Sequence, residues 1–247
     1  MVCRHGWKRP KNIETEATAI MDCVVYLVCR GQTTNDILPR PLILGRKTDA
    51  NLTAEGRTTV QQFAQSLCRR ELDMIYTSPA FRATETARLL LNACPSASLR
   101  IASALAAQDC GTWEGWAWHR VIAEDSAAFG AYLQDPAVQP MGGGESLGAV
   151  QERAMRFLHD RVAQHHEQRV AMVTHPAVIR AMIAGIVDLP LWRARDLDQT
   201  PGCISVIRVA AGSLSVVAVN QRVLDEADET DEAKPRIAGN CGSPRRI

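Results

Sequence analysis

Two arginines, a histidine and a run of amide and hydroxyl side chains stand just after apolar stretches of this sequence, a pattern suited to holding an anion. Cys29-Arg30-Gly31-Gln32-Thr33-Thr34-Asn35 follows one apolar run. Thr77-Ser78-Pro79 follows a second, with Arg82 three residues on, and His175 follows a third, directly before Pro176. Guanidinium forks and the unpaired N–H groups of a helix's first turn both favour phosphate or carboxylate. Arg30, Arg82 and His175 are therefore candidate ligand groups, with Gln32, Thr33 and Asn35 as neutral partners. Cys29 is a candidate reactive thiol, because neighbouring cations and helix N–H groups lower a thiol pKa. The alternative is a buried cysteine that ends a strand.

These residues need a scaffold that brings them to one rim. Val24 to Val28 is a short, β-branched apolar run, as expected of a strand buried on both faces. Asp73–Thr77 and Arg169–Thr174 read as two more strands. Thr53 caps a predicted helix to about Cys68, Pro79 opens one to about Leu91, Ser146 caps a long one, and Pro176 begins one to about Val187. Ile204–Val209 and Leu214–Val219 read as a hairpin joined at Ala211-Gly212. Strands alternating with helices predict an α/β fold, a mostly parallel sheet with helices on both faces. In such sheets, ligands gather beyond the carboxyl ends of the strands. The domain is expected over 22–222, with a flexible extension over 1–21 and a disordered, acidic and then basic tail over 223–247.

The order of motifs resembles the histidine phosphatase (phosphoglycerate-mutase-like) superfamily, whose first strand usually ends L-V-R-H-G-Q-T-x-x-N. Leu27-Val28-Cys29-Arg30-Gly31-Gln32-Thr33-Thr34-Asn35 matches this without gaps, except at the two central positions. Leu52-Thr53-Ala54-Glu55-Gly56 is similar to L-T-x-x-G, and Ser78-Pro79-Ala80-Phe81-Arg82-Ala83-Thr84-Glu85-Thr86-Ala87 falls within a segment similar to S-S-P-x-x-R-A-x-x-T-A. Gly111-Thr112-Trp113-Glu114-Gly115, Gly143-Gly144-Glu145-Ser146 and Val173-Thr174-His175-Pro176-Ala177-Val178-Ile179-Arg180 resemble G-x-W-E-G, G-G-E-S and V-S-H-G-G-V-I-R. The resemblance covers about residues 23 to 220.

In that family the histidine after the first strand accepts the phosphoryl group. Two arginines and a second histidine hold its oxygens, and a carboxylic acid protonates the leaving group. The resemblance implies that Arg82 is the second arginine, His175 the second histidine and Asn35 a pocket residue. It also implies that Cys29 replaces the first arginine, Arg30 the nucleophile and Ala107 the acid. Arginine stays protonated and offers no lone pair. Asp109 is then a candidate substitute acid, and Glu114 matches a common structural position. Arg30 is expected either to pair with Asp109 or Glu114 or to grip an anionic ligand. Arg4-His5-Gly6 contains the missing tripeptide, but no strand precedes it and no Q-T-x-x-N follows.

Three functional readings follow. The leading one is a degenerate member that no longer transfers phosphoryl groups and binds a phosphorylated or carboxylated small molecule, or a protein partner. The second is new chemistry (lyase, isomerase or hydrolase) built on Cys29, His175 or Asp109. The third is a phosphatase or mutase with an atypical nucleophile.

Composition narrows these readings further. A formal charge of +1 over 247 residues argues against general nucleic-acid or anionic-membrane binding. No apolar run reaches the roughly 18 residues that span a bilayer; Ala17 to Val28, broken by Asp22, reads as a strand and not a signal peptide. The 8 cysteines lack C-x-x-C spacing, which fits reduced thiols in a cytoplasmic protein. No metal or other cofactor is expected: no Cys/His group has zinc-ligand spacing, and His165-His166 reads as a solvated helix end. Homo-oligomerisation is left open. Trp113, Trp116 and Trp118 are expected mainly to pack, with one ring available to stack on a ligand.

Overall fold

The structure, a computed structural model, describes residues 23–210 and 212–222, together with the backbone of Arg236–Ile237. The expected flexible segment 1–21, with Arg4-His5-Gly6, lies outside the described residues, as does the tail apart from Arg236–Ile237.

Seven strands form one sheet in the order β3-β2-β4-β1-β5-β6-β7. They are β1 (Cys23–Cys29), β2 (Met74–Thr77), β3 (Ser98–Ile101), β4 (Arg169–Thr174), β5 (Ile204–Ala210), β6 (Ser213–Gln221) and β7 (Arg236–Ile237). The first four in that spatial order run parallel; β5 pairs antiparallel with β1 and with β6. The fold is thus α/β with a mixed, mostly parallel sheet flanked by helices.

Strand alternation sorts the core into two layers. Val25, Leu27 and Cys29 of β1 and Val170 and Met172 of β4 pack with α5 (Leu147–Val162) and α6 (Pro176–Ile186). Tyr26, Val28, Ala171 and Val173 face the opposite way, toward α1 (Ala54–Cys68) and α2 (Phe81–Ala93). Each long helix offers a stripe at 3.6-residue spacing. In α5 it is Val150, Ala154 and Leu158, all fully buried. Burying a side chain of Val or Leu size contributes about 1.5–3 kcal/mol, so these stripes fix the helices to the sheet.

The caps are those the sequence implies. Thr53 Oγ1 accepts from Gly56 N, and Ser146 Oγ from Ala149 N. Helix α2 starts at Phe81, two residues after the expected Pro79. Two helices were not expected, α3 (Trp118–Glu124) and α4 (Ser126–Gln134). They carry a small satellite core in which Trp113 is fully buried and donates from Nε1 to Asp125 at 2.9 Å. A Cβ on Gly111 (φ +54°) would lie 2.0 Å from the Gly142 carbonyl oxygen. Only glycine allows the two loops that carry the satellite core to meet so closely.

Among the described residues, no helix is long and apolar enough to cross a membrane. His165, expected to be solvated, is instead buried and hydrogen-bonded to Tyr76 Oη at 2.9 Å.

Candidate functional site

The carboxyl ends of β1, β2 and β4 do converge, and a cavity of about 290 Å³ opens beyond them. The termini are tied together by backbone bonds: Arg30 N donates to Thr174 O at 3.0 Å and Ser78 N to Val173 O at 2.9 Å. Among the lining residues are Arg30, Asn35, Asp36, Arg82, His175 and Arg180, with Ala107, Leu42, Ile43, Met141 and Trp118 supplying apolar wall.

Arg30 occupies the position directly after β1 and is 8% exposed. Its guanidinium grips Asp36 in a two-pronged ion pair, Nη2 to Oδ1 at 2.8 Å and Nη1 to Oδ2. The same carboxylate accepts from Thr33 N at 2.7 Å and Thr33 Oγ1 at 2.8 Å. Burial alone would raise the Asp36 pKa, but the Arg30 bonds and charge and the Thr33 bonds outweigh it and hold the carboxyl below its usual range. The expected partners of Arg30, Asp109 and Glu114, are not the ones used. The loop leaving β1 turns tightly, with Asp36 N bonded to Thr33 O, and this returns Asp36 to Arg30.

Arg82 is almost wholly buried and equally committed. Nη1 donates to Asp49 Oδ1 at 2.9 Å and to Thr48 O at 3.1 Å, and Nη2 to Gly45 O at 3.0 Å. His175, 4% exposed at the start of α6, has Nε2 2.7 Å from Ser78 Oγ. Burial first, then the charges of Arg82, Arg30 and Arg153, push its pKa well below that of an ordinary histidine. The ring is neutral at physiological pH.

Arg180, five residues after His175 at the end of the V-I-R segment, also lines the cavity, although the motif pattern gives it no role. Its Nε donates to Leu197 O at 2.7 Å, and its terminal nitrogens have no hydrogen-bond partner among the described residues.

Several expected site residues lie elsewhere. Cys29 is fully buried, on the face of β1 covered by α5 and α6. Desolvation, only partly offset by Arg30, pushes its thiol up to about 12, so it is neither accessible nor a thiolate. Asp109 does not line the cavity; its Oδ1 accepts from Gly111 N at 2.9 Å and fixes a turn. Gln32 Oε1 accepts from Thr53 Oγ1 at 2.8 Å, linking the β1 loop to α1. Thr33 serves Asp36 and not a ligand. Asn35 does reach the cavity, but its amide is engaged with both backbone groups of Leu42.

Glu114 gathers backbone N–H bonds from Arg46, Lys47 and Thr48 at 2.7–3.0 Å and so organises the loop that carries Asp49. Burial would raise its pKa, but those bonds hold it low. Ala107, where the resemblance places the acid, lines the cavity. Its carbonyl is held by Arg46 Nε at 3.0 Å and Arg153 Nη2 at 3.2 Å. Among the described residues, no group of three or more His, Cys, Asp or Glu side chains could hold a metal ion.

An α/β scaffold thus brings Arg30, Arg82 and His175 to one cavity beyond the carboxyl ends of β1, β2 and β4. The chain belongs to the histidine phosphatase superfamily (branch 1), whose profile matches residues 25–222. It is 30% identical over 163 residues to phosphoserine phosphatase 1 of Hydrogenobacter thermophilus, covering 65% of this chain and 76% of that protein. It is 27% identical over 176 residues to the adenosylcobalamin/alpha-ribazole phosphatase of Escherichia coli, covering 70% and 85%. The structure of Bacillus stearothermophilus YhfR superposes with a TM-score of 0.74 at 26% identity, over 83% of this chain and 99% of that one. A mycobacterial glucosyl-3-phosphoglycerate phosphatase shares the fold, with a TM-score of 0.72 at 22% identity, over 81% and 99%.

Proposed function

We propose that this chain is a histidine-phosphatase-fold domain that binds a small anionic molecule and does not transfer phosphoryl groups through a histidine after β1. One observation carries this reading: the residue at that position is Arg30, locked against Asp36. A guanidinium has no lone pair with which to attack phosphorus, and the ion pair holds it as a fixed wall of the cavity. Two neighbouring features agree with it. Cys29 is buried in the core, and Ala107, at the position where the resemblance places the acid, lines the cavity with no proton to give. The intact cavity and the buried, neutral His175 give a ligand somewhere to sit.

The test is phosphate release from a broad panel of phosphomonoesters. Wild type would run beside Arg30→His/Ala107→Glu, with and without Cys29→Arg, each variant first checked for cooperative unfolding. A silent wild type with a revived variant is the expected result. Phosphate release by wild type that vanishes in His175→Ala would overturn the proposal.

A second reading, a phosphatase with an atypical nucleophile, draws support from the phosphatase names of the relatives and from His175. That ring lies on the cavity, is neutral, and has one nitrogen bound to Ser78 and the other unengaged among the described residues. It requires covalent phosphate on His175 after brief exposure to substrate.

A further inference from the structure

We infer that the cavity takes a monoanionic carboxylate with a compact apolar body, seated on Arg180, in preference to a phosphate dianion. The inference rests on the binding reading above and names the ligand class for the same site.

Charge decides between the two anions. Arg30 is matched by Asp36 and Arg82 by Asp49, and His175 is neutral. That leaves Arg180 as the cation lining the cavity that is in no ion pair among the described residues; Asp198 lies near enough to favour its charge but does not pair with it. Its Nε is pinned to Leu197 O, which aims the fork, while both terminal nitrogens lack a partner among the described residues. A single carboxylate satisfies one guanidinium in a two-pronged geometry. A dianion would bring a second negative charge into a half-buried site that already holds the Asp36 carboxylate. Uncompensated charge in such surroundings is expensive.

Shape and lining point the same way. Leu42, Ile43, Leu44 and Met141 supply apolar contact, and the half-exposed Trp118 ring stands at the edge. At about 290 Å³ the cavity is near the lower limit of ligand sites, roughly 300–1,000 Å³. A small aryl or branched aliphatic carboxylate suits that space.

Phenylacetate, phenyl phosphate and inorganic phosphate would be titrated into the full chain by calorimetry at pH 8, well above the second phosphate ionisation near 6. Phenylacetate is expected to bind at least fivefold more tightly than phenyl phosphate. Arg180→Gln is expected to weaken phenylacetate at least tenfold and Arg180→Lys less. Met141→Ala, which leaves all charges in place, should weaken phenylacetate severalfold, so the inference does not depend on one variant's folding. Asp36→Asn should shift the preference toward phenyl phosphate. Tighter phenyl phosphate binding by wild type, phenylacetate binding indifferent to Arg180→Gln, or no phenylacetate binding would each overturn the inference. Phosphate released from phenyl phosphate in the same samples would instead count against the binding reading beneath it.

Discussion

Arg30 and Asp36 close the loop that leaves β1 on itself, with Nη2 and Oδ1 2.8 Å apart and the same carboxylate capped by Thr33. The charge that faces the cavity from the end of β1 is therefore cancelled six residues later. Residues that would otherwise attract an anion have been turned into structure.

Breaking this pair should separate stability from binding. Asp36→Asn leaves Arg30 buried and uncompensated, and is expected to cost about 2 kcal/mol. That is below the range of about 3–5 for a fully buried pair, because Asp36 keeps some contact with solvent. The freed guanidinium should raise affinity for inorganic phosphate at the same time. Urea denaturation and calorimetric titration of one preparation would check both; unchanged stability would show that the pair is not a structural anchor.

The depressed pKa of His175 fixes the sign of a pH effect. The folded protein resists protonating this ring, whereas the unfolded chain protonates it near the ordinary value of 6.5. Stability is therefore complete above that value and falls as pH drops below it. The slope from this residue approaches about 1.4 kcal/mol per pH unit until the folded ring itself takes up a proton. His175→Gln should flatten the stability profile between pH 6.5 and 5. A slope identical to that of wild type would show that His175 is not the titrating group.

Thiol labelling should discriminate between the cysteines. Cys29 is fully buried with its thiol pushed up to about 12, whereas Cys68 is half-buried. Native protein treated with iodoacetamide at pH 8 should label Cys68 before Cys29, as read by peptide mass spectrometry. Addition of phenylacetate should leave the Cys29 rate unchanged. Fast, ligand-protected labelling of Cys29 would restore it as a site residue.

Much of this architecture was legible because local rules agree with the tertiary fold. The 3.6-residue stripe after Ser146, the cap at Thr53, and Pro176 after an apolar run each specify an element that the structure contains. Helix α4 is not legible in the sequence because it buries no residue fully and so has no strong stripe to read. Within the site, spacing located Arg30, Arg82 and His175 on the rim but could not say which carboxylates would answer the arginines. Asp36 and Asp49 come from loops whose turns are set by backbone bonds to Thr33 and Glu114's hold on residues 46–48. Of the two readings of Cys29, the buried strand end is the one alternation supports: counting from Val25 and Leu27 puts its side chain in the core beneath α5 and α6.

The wall that carries Ala107 depends on Arg153. Its guanidinium donates to Ala104 O at 2.6 Å, Ala106 O at 2.8 Å and Ala107 O at 3.2 Å, and pairs with Glu145 Oε1 at 2.8 Å. A planar fork can serve acceptors in several directions at once, which an ammonium cannot do from one point. Arg153→Lys should therefore keep the charge but leave backbone carbonyls unanswered, at a cost of about 2 kcal/mol. Because Arg153 holds the carbonyls of 104, 106 and 107, the amides of segment 104–107 should also exchange faster in the variant while those of β4 hold their protection. Hydrogen exchange of both proteins tests this directly. Uniform loss of protection across the sheet would mean that Arg153 supports the whole fold and not this wall.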